Sequence, residues 1–346
     1  MSIIDFRSDN TGAAAPQIIE AIAAANTGTA AGYGTDEWTT KLQERFSDLF
    51  EKKVRVFPVA TGTAANALAL ASICPPFGAV YCSAIAHIET SEGNATGFFG
   101  SGTKLVHVDG PHGKMDAARL ADIVGAAGVG LTHKSQPAAI NMTQATDLGA
   151  VYSLDEVRAL TAIARTHGLK VHMDGARFAN AVARLGCTPA EATWKAGVDI
   201  LSFGMTKNGG VMADAIVVFS PDVAQQLAFH LRRAGQVWSK MRFASAQLIR
   251  YVEDGLWLDL ARRSNAAAAR IAKELQPAAR LLAPVEANEI FVEMPPAAMD
   301  ALENDGIRFF RRGSRMARFV CRWDTTDAEI RALTGAVART SVTTAK

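Results

Sequence analysis

Three short stretches carry residue types that could do chemistry together. In "VATGTAANAL", Gly62 and Thr63 sit in a turn between a strand-like run and an Ala-rich helix. The N–H groups that open a helix lack intrahelical acceptors, so such a turn is a natural phosphate site. It has neither the lysine of a P-loop nor a GxGxxG pattern, and taken alone it reads as an ordinary capped helix. In "KVHMDGARFANA", Asp174 ends an alternation of Val171 and Met173, and Arg177 follows. A carboxylate at a strand end can pair with a protonated ring nitrogen, hold a metal or cap a helix, while Arg177 offers a fork for a carboxylate or phosphate. In "DILSFGMTKNGGVMADAIVVF", Lys207 is a single ammonium between apolar runs. A buried lysine is costly unless it is paired or chemically used, and a desolvated lysine is the usual Schiff-base former. Ser202 and Thr206 lie near enough in sequence to help bind a phosphate, and Gly209 and Gly210 would let backbone come close to a ligand.

Lys207 comes 33 residues after Asp174, one strand–helix–strand step further on, so both should reach the same sheet edge. A phosphate turn, a strand-end acid and a strand-end lysine, in that order, meet the needs of pyridoxal 5'-phosphate: a phosphate cradle, a partner for the pyridinium nitrogen and an amine for the aldehyde. "SAIAHIETSEG" adds His87 just after a strand, where an imidazole could stack on a ring or simply bond to backbone. The seven histidines show no HxxxH or HExxH spacing, so no metal site is expected.

These residues need a scaffold. Residues 16–26 read as a helix opened by Pro16, and "TTKLQERFSDLFEKK" places Leu42, Phe46, Leu49 and Phe50 on one face. Strands are expected at "VRVFPV", 79–84, 103–109, "LKVHMDGARF", "VDILSFG" and "AIVVFS", with a helix near 88–98 and a helix at 153–168 opened by a Ser153/Glu156 capping box. Strands alternating with helices predict an α/β fold, a mainly parallel mixed sheet covered by helices, whose ligands bind at the carboxyl ends of strands. Beyond residue 220 come helical stretches at 221–234 and about 245–276, then the short strands "NEIFVEMP", "GIRFFRR" and "MARFVCRWD". A smaller C-terminal α/β domain is expected, with Pro277 and Pro284 near its boundary. The division is an N-terminal arm (1–15) contributing to the site, a large cofactor-binding domain (16–250) and a small C-terminal domain with its linking helix (251–346).

The totals narrow the function further. The chain has 346 residues, 49% hydrophobic and 20% charged, with net charge +2 and no long basic run, which argues against nucleic acid as a partner. Cys74, Cys82, Cys187 and Cys321 are scattered and read as reduced thiols in a cytoplasmic protein. The opening "MSIIDFRSDNTG" has no apolar signal core, and no apolar run reaches membrane-spanning length.

Over nearly its whole length the sequence resembles the low-specificity L-threonine aldolases, a pyridoxal-phosphate-dependent family with the aspartate-aminotransferase-like fold (fold type I) that includes phenylserine aldolases. "IDFRSDNTGAAAPQIIEAI" is similar to the family's opening, which implies that Ser8 lies near the substrate carboxylate. "GYGTDEWTTKLQERFSDLF" resembles the loop and helix before the phosphate turn, and "VATGTAANALAL" the turn itself, with Gly62 and Thr63. "SAIAHIE" implies His87 as the ring-stacking histidine. "HMDGARFANA" implies Asp174 on the pyridine nitrogen and Arg177 on the substrate carboxylate, and "LSFGMTKNGG" implies Lys207 as the covalent anchor. "MARFVCRWD" implies a second carboxylate-binding arginine, Arg318, with Arg315 and Arg322 as alternatives. "SKMRFAS" implies that Arg242 approaches a phosphate from a neighbouring subunit, in a homodimer or homotetramer with shared sites.

One segment departs from the family. Many members have a histidine in an Asn-Thr-His stretch, acting on the substrate hydroxyl. Here that region reads "NMTQATDLGAVYS", with Asp147 near the position and no histidine; His133, in "LTHKSQPAA", is the nearest upstream. The activity implied is retro-aldol cleavage of an L-β-hydroxy-α-amino acid (threonine, allo-threonine or phenylserine type) to glycine and an aldehyde. A β-eliminating lyase or aminotransferase of the same fold is the alternative, and a non-enzymatic binding protein would leave the aligned features as coincidence. The hydroxyl base is left among His87, His133 and a water ordered by an acid such as Glu89.

Overall fold

The computed structural model describes residues 3–276 and 279–343. Seven strands form the main sheet, in the spatial order Arg55–Val59, Asp214–Val218, Ile200–Phe203, Lys170–Gly175, Gln136–Thr143, Gly78–Cys82 and Lys104–His107. Asp214–Val218 runs antiparallel to both its neighbours, and every other pairing is parallel. The central strands are buried along nearly their whole length, as expected for a sheet covered on both faces. Parallel register brings Thr143, Asp174 and Ser202 level, so the chain leaves these strands along one edge. The helix Gly62–Ile73 is buried almost all round, which explains its run of alanines and leucines.

A second, four-stranded antiparallel sheet has the order Phe310–Arg312, Met316–Val320, Glu289–Glu293 and Arg280–Leu281. Its core joins Ile290, Val292, Phe319 and Leu333 to the far end of the helix Leu256–Leu275. The N-terminal segment belongs here structurally: Ile4–Asp5 pairs in parallel with Ile307–Arg308, and Phe6 packs edge-on to Phe319 at 6.4 Å.

Three expectations about elements need correction. The helix near 88–98 is two short ones, His87–Thr90 and Ala95–Phe99, because the chain turns left-handed at Gly93 and Asn94. The helix at 245–276 is broken into Arg242–Val252 and Leu256–Leu275, with Asp254 and Gly255 at positive φ between them. The strand Gln136–Thr143 was not expected, since Pro137, two alanines and Asn141 hide its β character. Pro277 lies outside the described residues. The capping box of Ser153 and Glu156 is formed as expected.

One buried group ties this sheet to pH. His172 is fully enclosed between the Asn141 Oδ1 (2.6 Å) and the Ser202 Oγ (2.9 Å), and burial pushes its pKa down to about 4 although Asp174 pulls the other way. An unfolded histidine titrates near 6.5, so between those values the unfolded chain binds a proton that the folded chain does not. The contribution is therefore complete above about pH 6.5 and is lost as pH falls towards 4, by about 1.4 kcal/mol per pH unit. Urea unfolding between pH 7 and 4.5 should show a smaller pH slope in His172→Gln than in the parent; equal slopes would contradict this account.

Candidate active site

The carboxyl edge of the main sheet opens into two adjoining cavities of about 320 and 360 Å3. The first is lined by Thr61, Gly62, Thr63, Asn66, Asp174, Thr206 and Asp214; the second by Ser8, Ile85, Glu289, Phe310 and Arg318. Asn10, His87, Asp147, Arg177 and Lys207 border both. A more open cavity lined by Cys74, Lys170, Asp222 and His230 includes none of these residues.

Each side chain reaches the edge for a local reason. Thr61 caps the helix Gly62–Ile73 by accepting a bond from the Ala64 N–H (3.1 Å), leaving the first-turn N–H groups of Gly62 and Thr63 turned towards the cavity. Asp174 ends the strand Lys170–Gly175; its Oδ1 accepts from the Ala176 N–H (3.0 Å) and its Oδ2 from the Asn66 Nδ2 (3.0 Å). Lys207 rides on the single turn Thr206–Asn208. That turn is pinned at several points: Asp214 Oδ1 accepts from the N–H groups of Met205 and Thr206, while Asn208 Nδ2 donates to the Tyr251 hydroxyl and the Trp257 carbonyl. Lys207 itself makes no hydrogen bond or ion pair to any described residue. The glycines after it do not face a ligand as expected. A side chain at Gly209 would meet Leu260 and Ala15, one at Gly210 would meet Met205, and Gly209 has a φ of +95° that favours glycine.

His87 opens the short helix after the strand Gly78–Cys82 and holds the Glu92 Oε1 at 2.7 Å through its Nδ1. The Glu92 carboxylate is fully buried and also accepts from the Asn66 Nδ2 (2.8 Å). Asn66 thereby links the strand-end acid to the acid behind the imidazole. The bond to Glu92 raises the His87 pKa, against desolvation.

The cation cluster is more committed than the sequence indicated. Arg177 Nε donates to the Asp9 Oδ2 (2.8 Å), and its Nη1 lies 3.1 Å from the Glu289 Oε2. Burial would lower the pKa of Arg177, but Asp9 and Glu289 outweigh it, and the guanidinium is held charged. For Asp9, burial works upwards, while Arg177, Lys207 and a bond from Asn288 bring the net pKa below its ordinary value. Arg318 donates through its Nη2 to the Arg7 carbonyl (3.1 Å) and lies 3.8 Å from Glu289, but its buried Nε has no partner among the described residues. Arg315 pairs with Glu293, and Arg322 with Asp324 and Glu329, so neither alternative faces the site.

Three further residues line neither cavity. His133 is exposed in the turn before the strand Gln136–Thr143, at the amino end of a parallel strand and so on the edge opposite Asp174. Arg242 lines neither cavity and donates to the Thr27 carbonyl at 3.3 Å. Ser202 is bonded to His172 behind the sheet edge, so it does not reach the phosphate position. Sequence reasoning missed Asn66, Glu92, Asp9 and Glu289. The available signals were one amide in an alanine helix, a carboxylate beside Ser8 and a carboxylate heading the apolar run "EIFV".

The residues present fit pyridoxal phosphate. Thr206 has a buried Oγ1 without a partner beside the Gly62–Thr63 helix start, which is what an absent phosphate oxygen would leave. An acid and an amine at the same edge complete the donor set. Among the described residues no group of histidine, cysteine or acidic side chains could hold a metal, and no helix is long and apolar enough to cross a membrane.

The Glu92–His87 contact can be checked directly. Glu92→Gln removes the carboxylate that raises His87, so the imidazole should titrate at lower pH, followed by its ring-proton NMR signal. An unchanged titration would show that Glu92 does not set the charge of His87.

Comparison with known proteins agrees with this geometry. The family model described as beta-eliminating lyase matches residues 5–296. A low specificity L-threonine aldolase of Pseudomonas sp. (strain NCIMB 10558) is 43% identical over 95% of each chain. The solved structure of a Leishmania major threonine aldolase superposes with a TM-score of 0.91 at 24% identity, covering 97% of this chain and 99% of that one. A serine palmitoyltransferase from S. paucimobilis with bound PLP superposes with a TM-score of 0.72 at 16% identity, over 99% of this chain and 88% of that one.

Proposed function

The chain belongs to the beta-eliminating lyase family and, within it, to the low-specificity L-threonine aldolases, and from that premise we propose that it is a pyridoxal-phosphate-dependent aldehyde-lyase cleaving L-β-hydroxy-α-amino acids to glycine and an aldehyde. The observation that carries this reading is the unpaired Lys207 amine, in one cavity with Asp174 and the Gly62–Thr63 helix start.

Pyridoxal phosphate, when bound, supplies an electron-poor ring that accepts the electron pair left on the α-carbon. The protein's residues do the rest. Gly62, Thr63 and Thr206 would hold the phosphate, and Asp174, fixed by Asn66 and Ala176, would keep a proton on the ring nitrogen. Lys207 would be the amine that holds the cofactor's aldehyde. His87, half-buried and tethered to Glu92, would lie against its ring. The substrate carboxylate would dock on Arg318, which lines the second cavity with Ser8, and Arg177 would add its charge from behind. Fixing both ends of the amino acid would orient its Cα–Cβ bond for cleavage.

We also infer a homodimer or homotetramer. Exposed Tyr33, Val211, Met212 and Phe229 offer apolar surface to cover, and Arg242, unused in its own site, is the residue to reach a neighbour's phosphate. A cytoplasmic location accords with the four free thiols. Light scattering should give twice or four times the chain mass of 36.7 kDa; an active monomer would refute shared sites.

Lys207→Ala should abolish the visible absorbance of the protein-linked cofactor and lower turnover of threonine or phenylserine by at least roughly 10³-fold. Arg318→Ala, which removes a charge-assisted bond, should raise KM for the amino acid about 10- to 100-fold while the cofactor still binds. Glycine plus aldehyde as products supports the aldolase reading. Pyruvate with ammonia would make the protein a β-eliminating lyase, and a keto acid an aminotransferase.

A further inference from the structure

We propose that the carboxylate of Asp147 is the base that accepts the proton of the substrate's β-hydroxyl group. The proposal rests on the aldolase reading and adds to it the one group that reading leaves unassigned. The substrate's amine is fixed near Lys207 and its carboxylate near Arg318, so the Cα–Cβ bond lies where the two cavities meet. Only five side chains among the described residues border both cavities: Asn10, His87, Asp147, Arg177 and Lys207. The Asn10 amide is not basic. Arg177 is bound by Asp9 and Glu289, and Lys207 is the covalent anchor. His87 has its Nδ1 held by Glu92 and is the residue placed against the cofactor ring. Asp147 is the side chain left, and it makes no hydrogen bond or ion pair to any described residue. Glu89 faces His107 at 3.4 Å and lines neither cavity, and His133 lies at the opposite edge of the sheet.

The surroundings of Asp147 suit the task. Burial, then the carboxylates of Asp174 and Glu289, raise its pKa to about 7, while His87 and Arg177 pull part of the way back. Lys207 is the other charge bordering both cavities. A carboxylate of that strength is mostly ionised at mildly alkaline pH and is a far better proton acceptor than an ordinary aspartate. In the step itself the O–H proton passes to Asp147, and the O–H electron pair becomes the second bond of the aldehyde carbonyl. The Cα–Cβ bond breaks and its electron pair stays on Cα, where pyridoxal phosphate, when bound, would stabilise it. A proton from water completes glycine at Cα, and Asp147 passes its proton to water, so the balance needs only solvent.

The test compares two reactions of the cofactor-loaded enzyme and its Asp147→Asn variant. Cleavage of threonine or phenylserine needs the hydroxyl base; exchange of the glycine α-proton with deuterated water, followed by NMR, does not. Asp147→Asn should lower kcat for cleavage by about 10²-fold or more while KM, cofactor absorbance and glycine exchange change by less than about threefold. The rise of wild-type kcat with pH through about 7 should be absent from the variant. Cleavage at the wild-type rate would overturn the proposal, and so would equal loss of cleavage and exchange, which would mark a structural role. Wild-type enzyme that exchanges glycine but cleaves no β-hydroxy amino acid would overturn the aldolase reading itself, before any variant is made.

Discussion

The site exists because three distant chain segments meet at one buried ion cluster. Asp9 comes from the N-terminal arm, Arg177 from the helix start beyond the strand Lys170–Gly175, and Glu289 from the C-terminal sheet. Asp9 and Glu289 are almost fully enclosed, and Asn288 ties Asp9 further to the C-terminal sheet through the Cys321 carbonyl. A buried charge left without its partner costs about 3–5 kcal/mol, so the carboxylates of Asp9 and Glu289 both depend on Arg177 being in place. Folding of the C-terminal unit is therefore coupled to completion of the cavity. Ser8 and Asn10 flank Asp9 and are carried into the site by the same contact.

The sheet edge supplies the other half of the constraint. Asp174 and the lysine turn come from adjacent strands that must run close together. A side chain at Gly175 would meet the Ser202 carbonyl at 2.6 Å, and one at Gly204 the Ala176 carbonyl at 2.4 Å, so both strand exits depend on glycine. Beneath this edge Phe46, Phe50, Phe178, Phe203, Tyr251 and Trp257 form one aromatic block, with Phe203 and Trp257 at 5.8 Å and Phe46 and Phe203 at 5.1 Å. The hydroxyl of Tyr251 and the backbone of Trp257 then hold Asn208, next to the lysine. Hydrophobic packing in the core thus becomes positional precision at a single amine.

Much of this was legible in the sequence because it is local. Gly62, Thr63, Asp174 and Lys207 each follow a strand, and the strand–helix alternation is enough to bring them to one edge. Arg177 and Arg318 reached the site too, although their roles rest on partners that no spacing reveals. What was illegible is what depends on pairing across the chain. Glu92 lies only five residues beyond His87, but its meaning appears only when Asn66, from another helix, bonds both it and Asp174. His133 looked closer to the site than it is because the strand Gln136–Thr143 was hidden by its small and polar residues. Once that strand is in place, His133 falls at its amino end and Asp147 just beyond its carboxyl end.

The charges of the cavity then divide into two kinds. Asp9 and Glu289 neutralise Arg177, and Glu92 answers His87; Asp174 is fixed by two N–H donors. These groups are committed, and their geometry is set before any ligand arrives. Lys207 and Asp147 border both cavities without a hydrogen bond or ion pair to any described residue, and Arg318, whose buried Nε has no partner among them, lines one of the two. Buried polar groups are normally paired, so leaving the Nε of Arg318 open has an energetic cost that packing alone would not retain. In the reading proposed above, Lys207, Asp147 and Arg318 meet the amine, the hydroxyl and the carboxylate of a β-hydroxy-α-amino acid. The committed charges make the frame, and the uncommitted ones define the ligand.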